Sequence, residues 1–172
     1  IPDKPLHGMA MTTPEGRGGG TIGHTFGVAN TDERTVTEGL IRGRKLMVEY
    51  ERYYREYLRG FERLQLVVTG SLLGIRETRR IMGDYVMVLE DFRRQAVFDD
   101  EIGRFNYPVD IHATTNDEAA HAQFREEFTT LRYQDGESYG IPYRALVPQG
   151  LDNVLVAGQC LSADRYLQSS VR

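Results

Sequence analysis

Apolar residues recur at steps of three or four positions from Val36 onward, and this is the longest regular pattern in the chain. Such spacing places the apolar side chains on one face of an α-helix. Thr35 and Glu38 have the spacing of a capping box, and Gly60 is typical of a residue that ends a helix. The pattern therefore predicts a helix over 35–58, whose apolar face other elements must cover.

The other segments are short, and they do not alternate between strand and helix patterns. Apolar or β-branched runs predict strands at 21–30, 64–68, 85–89, 107–112, 141–147 and 153–157. Smaller helices are expected at 90–98 and 118–131. Together these segments predict an α+β fold, in which a mixed or antiparallel sheet is packed by the long helix.

We expect residues 1–172 to form a single lobe without an internal domain boundary. Residues 1–20 are rich in Pro, Gly and Met and are expected to form a loop or arm. Within them, Gly18–Gly20 lacks the Lys-Ser/Thr of a phosphate-binding loop and is interpreted as a flexible link. Residues 113–136 are interpreted as a polar, charged insertion.

Composition excludes several classes of protein. The chain has 172 residues and a formal net charge of −4, which argues against non-specific nucleic-acid binding. No apolar run reaches the roughly 18–20 residues of a membrane span. The four histidines lack metal-ligand spacing, so no metal site is expected. The single cysteine, Cys160, excludes an internal disulfide framework and leaves the compartment open, with the cytoplasm favoured.

A cluster of charge follows Gly74, where three arginines, Arg76, Arg79 and Arg80, lie within seven residues. Guanidinium groups bind carboxylate and phosphate oxygens with two parallel hydrogen bonds, so this cluster suits an anionic substrate or cofactor. The alternative is an ion-pair network at the surface.

Two further pairs are candidates for a site. Asp110 and His112 would share one face of a strand, where the carboxylate could orient the imidazole for acid–base work. Tyr143 and Arg144 lie just inside a predicted strand, where they could contact an anionic ligand. In each pair a purely structural role is the alternative.

The end of the chain combines an apolar run, 153–157, with Gly158 and small polar residues after it. A buried strand that ends in glycine brings bare backbone close to a ligand. A helix-like tail follows. No histidine is near Cys160 in sequence, so a small buried thiol is expected there rather than a nucleophile.

Four segments in order, GIRETRRIMGDYVM, YPVDIH, YGIPYRALVP and DNVLVAGQCLSA, resemble a known family. They are similar to the C-terminal half of FAD-dependent oxidoreductases of the glutathione-reductase-like flavoprotein class, which are sometimes labelled xanthan lyases. The resemblance covers 64–172 and is interrupted by the 113–136 insertion.

The resemblance implies an FAD cofactor and hydride transfer from a small organic substrate that is anionic or hydroxylated. It implies that the cofactor is flanked by Gly158, Gln159, Ser162, Ser170 and Arg172. It places Arg76, Arg79, His112, Tyr143 and Arg144 toward the flavin ring and the substrate. In this interpretation the arginines hold the substrate, and His112, oriented by Asp110, moves a proton.

The chain also departs from the family pattern, since Gln159 stands where the family has arginine and 164–166 reads Asp-Arg-Tyr. We expect the N-terminal dinucleotide-binding half to lie outside this chain. The chain would then be the substrate or cap lobe of a larger enzyme, would not hold FAD tightly and would be inactive alone.

Two other functions remain open. The chain could be a non-catalytic binding or oligomerisation module, with the helix tyrosines Tyr50, Tyr54 and Tyr57 in the core or at a homo-oligomer interface. It could also be a polysaccharide lyase, in which a tyrosine–histidine pair performs β-elimination on an acidic sugar.

Overall fold

The computed structural model describes residues 10–11, 18–20, 22–112, 119, 122, 126 and 130–171. The chain divides into two compact units, Ile1–Gly74 and Ile75–Arg172. The predicted single lobe over 1–172 stays a prediction.

The first unit contains a pair of two-residue antiparallel strands and a long helix. Strand β1 (Ala10–Met11) pairs with β2 (Gly18–Gly19), and helix α1 spans Glu33–Tyr57. The predicted helix is thus confirmed to within two residues at each end, because its signal is a local periodicity.

The predicted capping box of α1 is wrong. Asp32 is the N-cap residue, and its carboxylate accepts a hydrogen bond of 2.9 Å from the backbone N–H of Arg34. The Thr35 hydroxyl is instead 2.9 Å from the carbonyl oxygen of Ala29, to which it donates. A carboxylate at the N-cap satisfies one of the free N–H groups of the first turn, as a threonine would.

Helix α1 buries Tyr50 and Tyr54 within this unit, whereas Tyr57 is 70% exposed. The backbone approaches the helix closely at two glycines. A Cβ on Gly39 would lie 2.8 Å from Val28, and one on Gly23 would lie 2.8 Å from the Tyr50 ring. The spacing predicted core or interface positions: Tyr50 and Tyr54 are core residues, and an interface role for Tyr57 stays a prediction.

Two predicted strands of this unit are wrong. Residues 22–30 and 64–68 form no strand, and Val67 is 91% exposed. An apolar run indicates a tendency to be buried, but a strand also needs a hydrogen-bonding neighbour. Among the described residues, no segment pairs with 22–30 or 64–68 as a neighbouring strand.

Among the described residues, the second unit contains two short helices with defined bounds and a two-stranded sheet. In chain order it comprises α2 (Leu89–Arg93), β3 (Glu101–Phe105), β4 (Tyr139–Pro142), a 3₁₀ helix (Tyr143–Leu146) and α3 (Arg165–Val171). Strands β3 and β4 are antiparallel, with Phe105 opposite Tyr139 and a register shift between Glu101 and Gly103. Helices and antiparallel strands in separate segments confirm the α+β class.

Several boundaries in this unit differ from the predictions. Residues 85–89, 107–112 and 153–157 are not strands, 141–147 is mostly a 3₁₀ helix, and α2 ends well before residue 98. Strand β3 was not predicted, since its charged residues resemble a loose continuation of α2. Of the predicted helix 118–131, residues 119, 122 and 126 are helical, and most of the others lie outside the described residues.

The core of the second unit lies between these elements and the irregular segments. It consists of Met87, Phe92, Val109, Ile111, Tyr139, Ala145, Leu161, Ala163 and Leu167. The Phe92 and Tyr133 rings stack with centroids 4.1 Å apart. Residues 85–89 and 107–112 thus contribute apolar side chains to the core as expected, although they form no sheet.

One carboxylate joins the two helices of this unit. Asp164 accepts hydrogen bonds of 2.8 Å from the backbone N–H groups of Leu167 in α3 and Leu89 in α2. Its backbone N–H donates to the carbonyl of Met87 at 2.7 Å. Asp164 therefore fixes the start of both helices.

Replacing Asp164 with alanine should lower the free energy of unfolding by about 2 kcal/mol, since two helix starts lose an acceptor. Asp164→Asn keeps one acceptor oxygen and should cost about half as much. Urea denaturation followed by circular dichroism measures both values. The exposed Asp152 provides the control. Equal losses for Asp164→Ala and Asp152→Ala would contradict this role.

Within the described ranges, no helix combines the length and apolar content that crossing a bilayer requires.

Candidate functional site

Three predicted site residues meet in the second unit. The Arg76 Nη1 atom lies 2.8 Å from Nε2 of His112, and its Nη2 atom lies 3.3 Å from Oδ2 of Asp110. Nε2 of His112 also lies 3.4 Å from Oδ1 of Asp110. We call this group the Arg76 cluster. It brings together one residue of the arginine-rich segment and both residues of the Asp110–His112 pair.

The contact between Arg76 and His112 fits one tautomer of the imidazole. A guanidinium group can only donate hydrogen bonds, so Nε2 of His112 must accept the bond from Arg76. In this contact the ring is neutral, with its proton on Nδ1. The Nε2 lone pair is then occupied by Arg76, so a role as proton acceptor requires a substrate group to displace that contact.

Buried and partly exposed residues alternate over 109–112, and Asp110 and His112 take the partly exposed positions. Val109 and Ile111 are buried in the core, whereas the side chains of Asp110 and His112 are 21% and 30% exposed. Extended backbone sends successive side chains to opposite sides even without a neighbouring strand. The predicted shared face of Asp110 and His112 is thus present, although the predicted strand is absent.

The Arg76 cluster is open to solvent. The Arg76 side chain is 47% exposed, so a small anion could reach its guanidinium group. Arg80 instead forms an ion pair of 3.1 Å with Glu77 within its own segment, as the structural alternative expected. Arg79 is exposed and is not among the described contacts of the cluster.

Arg144 belongs to a different group. Its Nε and Nη2 atoms lie 3.0 and 3.1 Å from the two carboxylate oxygens of Asp100, and its guanidinium lies 5.5 Å from the centre of the Tyr85 ring. The hydrogen bond from Arg144 holds the pKa of Asp100 below its usual range. Two of the five N–H groups of this guanidinium are therefore directed to Asp100.

The neighbouring Tyr143 is 44% exposed, and its backbone N–H donates to the carbonyl of Asp100 at 2.8 Å. Asp100 thus holds the start of the 3₁₀ helix at two points, through Tyr143 and Arg144. Sequence reasoning missed Asp100, because its partners are more than forty positions away and no local motif links them.

The predicted glycine corner is open. Gly158 has φ +94°, a left-handed conformation that favours glycine, and no described atom lies within 4 Å of where its Cβ would be. Next to it, the side-chain amide of Gln159 donates to the carbonyl of Ile75 at 3.2 Å. The backbone at Gly158 thus leaves room for a ligand, and its contact with a cofactor stays a prediction.

The two predicted serines are placed differently. Ser162 is fully buried, and its hydroxyl accepts a hydrogen bond of 3.0 Å from the backbone N–H of Gly83. Ser170 is also buried, between the carbonyl of Tyr107 at 2.6 Å and the Tyr139 hydroxyl at 2.8 Å. Both hydroxyls therefore bind protein groups, and their contact with a cofactor stays a prediction. Arg172 lies outside the described residues.

A glycine spacing near the start of the chain needs a correction. Gly18, Gly20 and Gly23 have the GxGxxG spacing, which our expectation of a missing dinucleotide-binding half overlooked. In the fingerprint, these glycines lie between a strand and the first turn of a helix. Here Gly18 is part of β2, and the next described helix begins only at Glu33. The spacing therefore lacks the helix start that binds a pyrophosphate.

Among the described residues, no group of three His, Cys, Asp or Glu side chains could hold a metal ion. Cys160 is half-buried, with its Sγ 3.9 Å from the carbonyl of Ala157.

Comparison with known proteins identifies one family. A family model described as FAD dependent oxidoreductase matches residues 7–172, a range that includes every predicted site residue. No curated protein and no solved structure matches the chain.

Proposed function

The chain belongs to the FAD dependent oxidoreductase family, and we propose that its second unit supplies the substrate side of an FAD-mediated hydride transfer. The flavin, when bound, supplies the redox chemistry, because protein side chains do not carry it themselves. The Arg76 cluster is the observation that supports this proposal. It is an open site with one cation, one carboxylate and one proton acceptor within 3.4 Å of one another.

Arg76 would bind the substrate. Its exposed guanidinium suits a carboxylate or a hydroxyl oxygen, and a charge-assisted contact would fix the substrate against the cluster. Asp110 keeps the guanidinium oriented through the 3.3 Å ion pair. Small hydroxylated or carboxylated compounds are therefore the proposed substrate class.

His112 would move the proton. When a substrate hydroxyl replaces Arg76 at Nε2, the imidazole can accept the hydroxyl proton while the carbon loses its hydride. The resulting imidazolium would be stabilised by Asp110, whose Oδ1 atom lies 3.4 Å away. The exposed Arg79 and Tyr143 are proposed as outer contacts of the substrate, and the Asp100-bound Arg144 as a support for Tyr143.

The Gly158 corner is the proposed cofactor contact. Its open backbone and the adjacent Gln159 would lie against the cofactor, and the Gln159 side chain links this corner to the segment that carries Arg76. The chain thus holds a cofactor-side and a substrate-side element within one unit. As part of the proposal, this unit acts as the substrate lobe of the enzyme.

The test measures reduction of FAD in an FAD-containing enzyme that includes this chain, by the loss of visible flavin absorbance when small hydroxylated or carboxylated compounds are added without oxygen. Arg76→Ala and His112→Ala should each slow this reduction by about 100-fold or more, as expected for loss of orientation or of a general base. The matched control is Arg93→Ala, which removes a surface arginine that pairs with Glu90.

Wild-type rates of flavin reduction in both variants, with FAD still bound, would refute the proposed roles. An unsaturated product that absorbs in the ultraviolet and forms without flavin would instead support the lyase alternative. A concentration-dependent dimer, together with no flavin reduction in the FAD-containing enzyme, would support the binding module.

A further inference from the structure

Three consecutive polar residues of α3, Gln168, Ser169 and Ser170, are buried. Consecutive residues of a helix point in different directions, so their burial means that α3 is surrounded on several sides. Buried polar groups are costly unless they form hydrogen bonds. These three side chains form theirs with backbone groups of other segments.

Gln168 binds the segment of Arg76. Its side-chain Nε2 donates to the backbone carbonyl of Arg76 at 3.0 Å and to that of Gln159 at 3.3 Å. Two carbonyl acceptors require the NH₂ group on this side, which fixes the orientation of the amide. The link therefore joins the Arg76 cluster to the Gly158 corner.

Ser169 binds the segment of His112. Its hydroxyl accepts a hydrogen bond of 3.1 Å from the backbone N–H of Asp110 and donates to the carbonyl of Tyr166 at 2.6 Å. The next residue, Ser170, binds the carbonyl of Tyr107 at 2.6 Å. Residues 107–112 are thus held along their length by the same helix turn.

The two halves of the Arg76 cluster have no sheet to align them. Neither 75–82 nor 107–112 is a strand, so no ladder of backbone hydrogen bonds sets their register. We propose that Gln168 and Ser169 are positioning residues, which hold the backbones of Arg76 and Asp110 so that the Arg76 and His112 side chains meet. This inference rests on the proposed function of the Arg76 cluster.

The Oε1 atom of Gln168 is buried and has no hydrogen-bond partner among the described residues. This side chain therefore acts through its two donors, to the carbonyls of Arg76 and Gln159, which an apolar side chain of similar size would remove. What such a side chain cannot replace is the pair of donors to Arg76 and Gln159.

The test observes His112 directly, in the full chain labelled with ¹⁵N-histidine and without substrate or FAD. The hydrogen bond from Arg76 should keep the neutral ring protonated on Nδ1. The Arg76→Ala variant gives the reference spectrum of His112 without this hydrogen bond. Gln168→Met and Ser169→Ala should each move the His112 signals most of the way toward that spectrum. Gln149→Met is the matched control, since it removes a similar amide contact, of 3.0 Å, to the carbonyl of Gly83.

Folded Gln168→Met and Ser169→Ala proteins with the wild-type His112 spectrum would overturn the inference. Global unfolding of both variants would also overturn it, since the two residues would then stabilise the whole unit. In FAD-loaded protein, Gln168→Met should slow flavin reduction by about 10- to 100-fold.

The ¹⁵N spectrum of His112 tests the positioning role, and flavin reduction tests the proposed function. Normal flavin reduction by Arg76→Ala would refute the catalytic proposal and leave the spectral result intact. An unchanged spectrum in the α3 variants would refute the positioning role alone.

Discussion

The free energy of unfolding should fall by about 3 kcal/mol or more when Asp91 is replaced by alanine. This carboxylate is only 1% exposed and accepts hydrogen bonds from the Tyr85 hydroxyl, the backbone N–H of Val88 and the Arg94 guanidinium. Hydrogen bonds to a charged group contribute about 1.5–3 kcal/mol, and the helix cap at Val88 adds about 1 kcal/mol. The Arg94 side chain is 58% exposed and can be solvated when Asp91 is removed. Most of the lost stability therefore comes from the Tyr85 hydroxyl and the Val88 N–H.

Asp91→Asn should also be strongly destabilising, because three donors converge on the two carboxylate oxygens and one oxygen becomes an NH₂ group. Urea denaturation measures the loss for both variants. The control is Glu90→Ala, since Glu90 is the exposed neighbour in the same helix and should change stability by less than about 0.5 kcal/mol. Similar values at positions 90 and 91 would show that the Asp91 contacts contribute little.

Raising the pH from about 10 to about 12 should cost the second unit roughly 2 kcal/mol through Tyr139 alone. Burial raises the pKa of this tyrosine from 10.0 to about 12. Above pH 10 the unfolded chain loses the phenolic proton, while the folded chain keeps it until about pH 12. The unfolded state then binds fewer protons, so the free energy of unfolding falls as the pH rises.

Burial also raises the pKa of Tyr133 and of Tyr85, so these tyrosines add to the same decline. The measurement is urea denaturation at several pH values between 9 and roughly 12. Tyr139→Phe should flatten the decline, at a cost of about 1 kcal/mol near neutral pH for the lost contact with Ser170. Tyr57→Phe, at an exposed position, should leave it unchanged. A stability that is constant over this range would contradict the assignment.

Sequence-based predictions succeeded where the interaction lies within one segment, and they failed where it joins distant segments. Helix α1 was predicted almost to its ends, because three- and four-residue spacing is set within one segment. The shared side of Asp110 and His112 was also predicted, since alternation of successive side chains is local. Strand β3 was missed, because its pairing with β4 joins residues more than thirty positions apart.

The apolar runs at 64–68 and 153–157 show the limit of such reasoning. Each was predicted as a buried strand, yet Val67 and Leu155 are 91% and 58% exposed. Hydrophobicity indicates that a segment gains from being covered, but it does not specify the surface that covers it. That surface is a property of the fold, and the described residues do not provide it.

For the candidate site, the sequence determined the chemistry and the structure determined the contacts. The motifs identified Arg76, Asp110 and His112 as groups for binding anions and moving protons, because those abilities belong to the side chains themselves. Only the tertiary structure joined Arg76 to His112 at 2.8 Å and directed Arg144 to Asp100. It also revealed Gln168, whose role depends on carbonyls that the chain brings to α3 from distant positions. Side-chain chemistry is local, whereas distances between remote segments are set by the packing of the whole unit.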